Sequence, residues 1–221
     1  FLNVTGTLNV TGKITAVGSR AGAGSYGGGG GSGGSIYVIA SNFVGTGIIN
    51  ASGGEGGDGT SYDGGGGGGG RIAVYFTTRT FTGTVSASGG ARTDNGAAGT
   101  IYLKPSSANA DIIIDNAGRA GSVNNTVINS SFLAADTVLN SLNISGKANV
   151  SINSTYNATD VNISGSSTEV TLAAGGKINA TNFNLQSSAS MAINGNLTAT
   201  NLNLQSSASM AINGNLTATS A

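Results

Sequence analysis

The sequence has 221 residues, of which 39 are glycine, and it contains no Cys, His or Trp. Nine basic and nine acidic residues cancel, and charged side chains make up only 8% of the chain. This composition excludes thiol and imidazole chemistry and gives no positive field for nucleic acid, so we expect no Ser-His-Asp triad, disulfide, cofactor or nucleic-acid partner. No apolar run approaches the roughly 18 residues of a membrane span.

Residues 1–121 are predicted to form a glycine-rich β-solenoid that repeats every 35 to 36 residues. Each unit reads as strand, turn, strand and glycine-rich excursion. Because side chains alternate along a strand, the segment SIYVIA should direct Ile36 and Val38 inward and Tyr37 outward. Equivalent strands end at Ala16, Ala51 and Ala87.

Two long glycine-rich excursions follow these strands, Gly22 to Gly34 and Gly53 to Gly70. They align so that Tyr26 falls one unit before Tyr62. Glycine lets backbones approach closely, so we predict that the excursions pack side by side on one flank as polyproline-II-like strands, with Tyr26 near Tyr62. Freely mobile loops are the alternative.

Two glycine motifs in this part are weak. Gly53 to Asp58 fits most of a calcium-binding nonapeptide, but Thr60 occupies its apolar position and no tandem copy follows. A plain glycine loop is therefore favoured there, and no metal site is predicted. The spacing from Gly22 to Gly27 fits a dinucleotide fingerprint without its strand, turn and helix.

The middle of the chain holds the one local candidate for enzyme chemistry. Asp111, Asp115 and Arg119 in DIIIDNAGR could serve a polysaccharide-cleaving β-helix enzyme. The favoured interpretation is polar residues at the ends of a buried strand. Further on, the segment from Ser131 to Leu142 is the one stretch where a helix is allowed, with an irregular coil as the alternative.

Residues 122–221 are predicted to form an Asn/Ser/Thr-rich β-solenoid with coils of about 19 residues. The stretch from Thr181 to Ala199 recurs from Thr200 to Ala218 with one change, Phe183 to Leu202. Turn residues separate short alternating segments in each copy, which is typical of a solenoid that adds one unit per repeat.

The pattern GGSIYVIASNFVGTGIINASGG, followed by a glycine run and GGRIAV, covers about residues 13 to 104. It resembles the glycine-rich parallel β-helix repeats of secreted microbial surface proteins of the adhesin, filament or sheath type. The resemblance implies an all-β parallel β-helix or β-solenoid at the cell surface or outside the cell. It supplies no catalytic motif.

Asn-x-Ser/Thr acceptors occur thirteen times. In a secreted protein each could carry a glycan, whereas the alternative is that strands simply need small polar outward side chains. Ten acceptors are the glycosylation candidates: Asn124, Asn129, Asn143, Asn149, Asn153, Asn157, Asn162, Asn179, Asn196 and Asn215.

Two roles compete. A structural subunit of an extracellular filament, fibre or sheath would join to itself head to tail through solenoid ends that lack polar caps. The stalk or binding region of a surface adhesin, with surface glycans as partners, should instead gather aromatic or charged residues in one place, and the charges look diffuse along the sequence. We favour the structural homopolymer; an enzyme is the weakest class. The assembly interface candidates of this homopolymer are Phe1, Leu2, Val4, Leu204 and Leu216.

Overall fold

The computed structural model describes residues 1–121, 125–129 and 138–220. These residues contain twenty β-strands and no helix. Gly, Asn, Ser, Thr and β-branched residues favour strands and turns over helices, which explains the all-β content. Residues 138–142, where a helix was allowed, lie in a strand instead, because they pair with a neighbouring strand; residues 131–137 of that segment lie outside the described residues.

Ten strands form one layer, the front sheet. In sheet order they are β1 (Leu2–Asn9), β4 (Ser35–Val44), β7 (Arg71–Arg79), β9 (Thr100–Pro105), β10 (Ala110–Asp115), β12 (Val138–Ser145), β14 (Thr155–Ser164), β16 (Lys177–Gln186), β18 (Asn196–Leu204) and β20 (Asn215–Ser220).

Three smaller sheets complete the fold. The N-terminal side sheet contains β2 (Lys13–Thr15), β5 (Ile48–Asn50) and β8 (Thr84–Ser86), and the flap sheet contains β3 (Gly24–Tyr26) and β6 (Gly59–Tyr62). The C-terminal side sheet contains β11 (Thr126–Ile128), β13 (Asn149–Ile152), β15 (Glu169–Leu172), β17 (Ser190–Ile193) and β19 (Ser209–Ile212).

Strand pairing is parallel in nearly every case. Ile36 of β4 pairs with Ile72 of β7, one N-terminal unit later, and Leu197 of β18 pairs with Leu216 of β20, 19 residues later. Large parallel sheets linked in this way are consistent with a β-helix or β-solenoid. We call each turn of the chain, front strand plus side strand, a coil.

The N-terminal core lies between the front sheet and the N-terminal side sheet. Ile36 and Val38 are buried while Tyr37 is 38% exposed, which confirms the predicted alternation. Phe43 and Ile49 are completely buried at the centre of this core. The C-terminal core lies in the same way between β12–β20 and the C-terminal side sheet.

One pair departs from the predicted parallel arrangement: β9 and β10 form an antiparallel hairpin. Ile113 lies opposite Ile101, and Ile112 lies opposite Tyr102. Opposed residues of an antiparallel pair project from the same face. Since Ile101 belongs to the N-terminal core and Ile112 to the C-terminal core, the two cores lie on opposite faces of the front sheet.

The hairpin therefore makes two changes at once. It reverses the strand direction, and it moves the core to the other face. The rod axis is the direction along which the coils stack, perpendicular to the strands. A rotation of 180° about this axis reverses the strand direction and the core face together, and it leaves the handedness of the coils unchanged. The two halves therefore wind in the same sense. This change occurs between Leu103 and Ala110, upstream of the residue 121/122 boundary at which the sequence repeat changes.

The two halves share a local motif where the front strand bends, which we call the corner. Residues 38–43 read VIASNF and residues 178–183 read INATNF. In each, an alanine and a phenylalanine three residues apart are both buried: Ala40 with Phe43, and Ala180 with Phe183. Three-residue spacing breaks the period of two, so the backbone turns there while both side chains stay in the core.

Candidate functional site

The glycine-rich excursions form a packed unit, the glycine bundle, made of residues 16–34, 51–70 and 87–99. Its backbone hydrogen bonds recur at every third residue: Gly30 donates to Gly65 O and Gly33 donates to Gly68 O, both at 2.9 Å. Three residues per turn is the period of polyproline II. Side-by-side packing of the excursions is therefore confirmed.

Close backbone contact explains the glycine content of the bundle. A Cβ added to Gly67 would lie 2.5 Å from the Gly31 carbonyl carbon and nearer still to its oxygen. Such a position has no room for any side chain. The bundle is thus a closely packed support for the residues that its turns carry.

Two tyrosines stand at the tip of this bundle. Tyr26 and Tyr62 pair across the flap sheet, and their rings are nearly parallel, at 9°, with centroids 5.9 Å apart. Each tyrosine is 72% exposed. The predicted proximity of the two residues is confirmed, and the rings form an aromatic surface that faces solvent.

A group of charged residues, the flap-tip cluster, lies along the same excursions. Arg20 Nη2 donates to Asp58 Oδ2 at 2.9 Å, and Arg20 Nε lies 3.6 Å from Glu55 Oε2. Arg92 also pairs with Asp58 and lies 3.5 Å from Asp63. The charges that look diffuse in the sequence are therefore partly gathered by the fold, with two positive and three negative groups in one network.

Asp58 belongs to the weak calcium motif. Its carboxylate faces two arginines, which supply positive charge in place of a cation. Within the described parts of the chain, no three acidic side chains converge on a point where a metal ion could bind. The geometry thus favours the plain glycine loop.

The residues considered for enzyme chemistry do not share a site. Asp111 Oδ1 accepts hydrogen bonds from two side chains of β12, at 2.6 and 2.7 Å. Asp115 Oδ1 accepts a backbone N–H of the turn after β10, at 2.6 Å. Arg119 Nη1 instead donates to Ser88 Oγ, at 2.9 Å. Each of the three holds neighbouring segments together.

An aromatic row crosses the outward face of the N-terminal front strands. Ring centroids are 5.5 Å apart from Phe1 to Tyr37, 5.2 Å from Tyr37 to Tyr75 and 5.8 Å from Tyr75 to Tyr102. Burial, followed by a hydrogen bond with Tyr37, raises the pKa of Tyr75 to about 12. A groove of about 460 Å³ runs beside the row and includes Lys104 in its wall.

Asparagine amides form ladders along the C-terminal half. Asn162 Nδ2 donates to Asn143 Oδ1 and Asn184 Nδ2 donates to Asn162 Oδ1, both at 2.9 Å. The Nδ2 atom is where a glycan would attach, so at these positions it already has a structural partner. Stacked asparagines give the acceptor motifs a second explanation that needs no glycan.

The glycosylation candidates differ in exposure. One of them, Asn124, lies outside the described residues. Exposed candidates are Asn129, Asn153, Asn196 and Asn215, and half-buried ones are Asn143, Asn149, Asn157, Asn162 and Asn179.

The assembly interface candidates lie at the two edges of the front sheet, β1 and β18–β20. Phe1 is 84% exposed, Leu2 37% and Leu204 46%. Val4 and Leu216 are half-buried and pack against the N-terminal and C-terminal cores, respectively. Both edges thus combine exposed apolar side chains with an open end of a core.

The comparisons with known proteins add one likeness. No protein-family model matches the sequence, and no curated protein matches it. The tapirin C-terminal domain of Caldicellulosiruptor kristjanssonii is similar in structure. The identity is 14% and the TM-score 0.35, over 92% of this chain and 53% of that domain. The chain therefore spans about half the length of that domain.

The sequence analysis missed three features of the structure: the β9–β10 hairpin, the corner motif and the flap-tip cluster. The hairpin and its change of core face have no strong signal, whereas the corner motif was readable as the match between VIASNF and INATNF. The flap-tip cluster joins residues far apart in sequence, so only the folded structure reveals it.

No helix in the described ranges is long and apolar enough to cross a membrane.

Proposed function

We propose that this chain is a non-catalytic structural element of an extracellular filament, fibre or sheath, in which β-solenoid units join head to tail. The observation that supports this most is the front sheet. It is one ten-stranded layer, and its edge strands β1 and β20 each pair on one side only among the described residues. Unpaired N–H and C=O groups on such an edge favour pairing with another strand.

The rest of the surface suits a structural role. Ladders of asparagine amides run from coil to coil in the C-terminal half, and each joins neighbouring strands through side chains. Asp58 is held in an ion pair, and Asp111 and Asp115 are held in hydrogen bonds, all within the fold. These contacts stabilise the stacked coils.

Electron microscopy and sedimentation of the purified chain at rising concentration test the proposal. We expect filaments from the wild type. The double variant Leu204→Lys/Leu216→Lys places charge at the C-terminal edge and should abolish them, since an unpaired charge is costly to bury. A matched control, Thr159→Lys/Thr181→Lys, adds the same charge at exposed front-sheet positions away from the edge. Equal polymerisation of the edge variant and the control would refute the terminal interface.

A second candidate function, the binding region of a surface adhesin, is favoured by the tip of the glycine bundle. There the exposed rings of Tyr26 and Tyr62 stand on a closely packed base near the flap-tip cluster. We expect an immobilised glycan array to retain the wild type and to lose Tyr26→Ala/Tyr62→Ala. Tyr37→Ala, which removes an outward ring elsewhere, is the control; equal retention of all three proteins would exclude the tip.

Glycosylation remains part of the proposal for the exposed acceptors. Asn153 and Asn196 are exposed, and a glycan there would project from the rod without entering a core. Intact-mass measurement on protein from its native source is the test. A mass equal to the unmodified 21.4 kDa would leave the asparagine ladders as the sole explanation of these motifs.

A further inference from the structure

We propose that two copies of this chain meet with β1 of one copy parallel to β20 of the other, after a half-turn about the rod axis that brings Leu2 opposite Leu216. The inference rests on the proposed head-to-tail filament. It goes further by fixing the orientation and register of the junction.

The hairpin between β9 and β10 dictates the orientation. Because it is the one antiparallel step described in the front sheet, β1 and β20 run in opposite directions, and their cores lie on opposite faces. A copy stacked without rotation would bring β1 antiparallel to β20 and set the core face of one strand beside the outward face of the other. Each open core would then end against solvent.

A half-turn about the axis reverses direction and face together. The incoming β1 then runs parallel to β20, and its inward side chains join the C-terminal core of the copy below. The side sheets do not meet directly, because β19 precedes β20 and β2 follows β1, so one side-strand position lies between them. Ile14 of β2 and Met210 of β19, which pack against their own cores, border this position from above and below.

The corner motif sets the register. In the N-terminal half Val4 pairs with Ala40, the corner alanine of β4. In the C-terminal half Ala199 occupies the corner and pairs with Ala218. Aligning the two corners places Val4 beside Ala218.

This register makes neighbours of residues with matching chemistry. Two positions before the corner, Leu2 faces Leu216, and both point into the joined core. Between them, Asn3 faces Thr217 on the outward side. Just beyond the corner, Ser220 reaches Thr7, whose Oγ1 already accepts a hydrogen bond from Asn42 at 3.1 Å. The polar ladder at the corner therefore continues from one copy to the next.

Cysteine pairs test this geometry, because the chain has no cysteine of its own. Neighbouring strands lie about 4.8 Å apart, within the range that a disulfide spans. Asn3→Cys and Thr217→Cys are prepared as separate proteins, mixed in equal amounts and oxidised. The matched control mixes Asn3→Cys with Ser220→Cys, three residues further along β20 and thus about 10 Å away.

We expect a disulfide-linked dimer in the first mixture and none in the control. Filaments in the microscope without this dimer, or with linkage in the control, would overturn the register and orientation while leaving the filament intact. A dimer of Thr217→Cys alone would show tail-to-tail pairing of two β20 strands and overturn the inference in the same way. Absence of any assembly would refute the proposed filament and this junction with it.

Discussion

The glycine bundle makes a sharp prediction about two neighbouring glycines. Gly67→Ala would place a Cβ 2.5 Å from the Gly31 carbonyl carbon, where an ordinary contact is about 3.5 Å. The segments must therefore separate by about 1 Å. Gly68→Ala adds the same methyl group where nothing lies within 4 Å. The two variants add the same methyl group and differ only in whether it meets a neighbouring backbone.

The expected cost follows from the bonds that this separation strains. Gly67 donates to Gly54 O at 2.9 Å and accepts from Gly90 N at 2.7 Å. Overpacking costs about 1–3 kcal/mol and each of the two weakened hydrogen bonds about 1 kcal/mol, so Gly67→Ala should lose about 3–5 kcal/mol. Gly68→Ala should gain about 0.4–1 kcal/mol by restricting the unfolded chain.

Thermal unfolding followed by circular dichroism measures the difference. For a chain of this size a gap of about 3–6 kcal/mol corresponds to roughly 6–24 °C in Tm. Amide exchange should also quicken across the bundle in Gly67→Ala and stay slow in Gly68→Ala. Equal melting of the two variants would mean that the excursions are mobile loops, and the packing argument would fail.

Three further changes probe the core, the ladders and the aromatic row. Phe183→Ala removes a completely buried ring and should cost about 3–5 kcal/mol in denaturant unfolding, whereas Leu204→Ala, 46% exposed, should cost about 1 kcal/mol or less; equal losses would contradict the assigned core. Asn162→Ala removes two side-chain hydrogen bonds of its ladder and should lower the free energy of unfolding by about 1–3 kcal/mol. An unchanged free energy of unfolding would show that the ladder does not stabilise the fold. Since the pKa of Tyr75 is raised to about 12, chiefly by burial, its contribution to stability should be complete below about pH 10 and lost as the pH rises towards 12. The ultraviolet difference titration between wild type and Tyr75→Phe should centre near pH 12, and a midpoint near pH 10 would contradict the buried hydroxyl.

Local patterns in the sequence carry the parts of the fold that repeat. The alternation around Ile36 and Val38 predicts their burial because a strand has a period of two. The alignment of the two excursions predicts the contact of Tyr26 with Tyr62 because equivalent positions of successive units stack. Both inferences need only the chain's own periodicity.

Features that occur once in the chain escape this reasoning. The hairpin joins Thr100–Pro105 to Ala110–Asp115. The first strand reads as apolar alternation and the second as a run of three isoleucines, and both patterns suit parallel or antiparallel pairing. Its change of core face depends on whether Ile112 or Ile113 meets Ile101, a shift of one residue that composition does not decide. The ion pairs of Arg92 likewise depend on two excursions meeting at the tip.

The hairpin has a mechanical consequence. Along the rod, neighbouring front strands are joined over as many as nine paired residues, as between β14 and β16, whereas β9 and β10 are joined over three. Few core side chains bridge the two halves: among the described residues, Ala98, Tyr102 and Ile113 pack against the opposite core. Tension applied along the axis loads every junction equally, so we expect the rod to yield first at the hairpin. Because the backbone itself crosses this point through a short loop, the two halves would part without the chain breaking, and each would keep its own core while the load lasts.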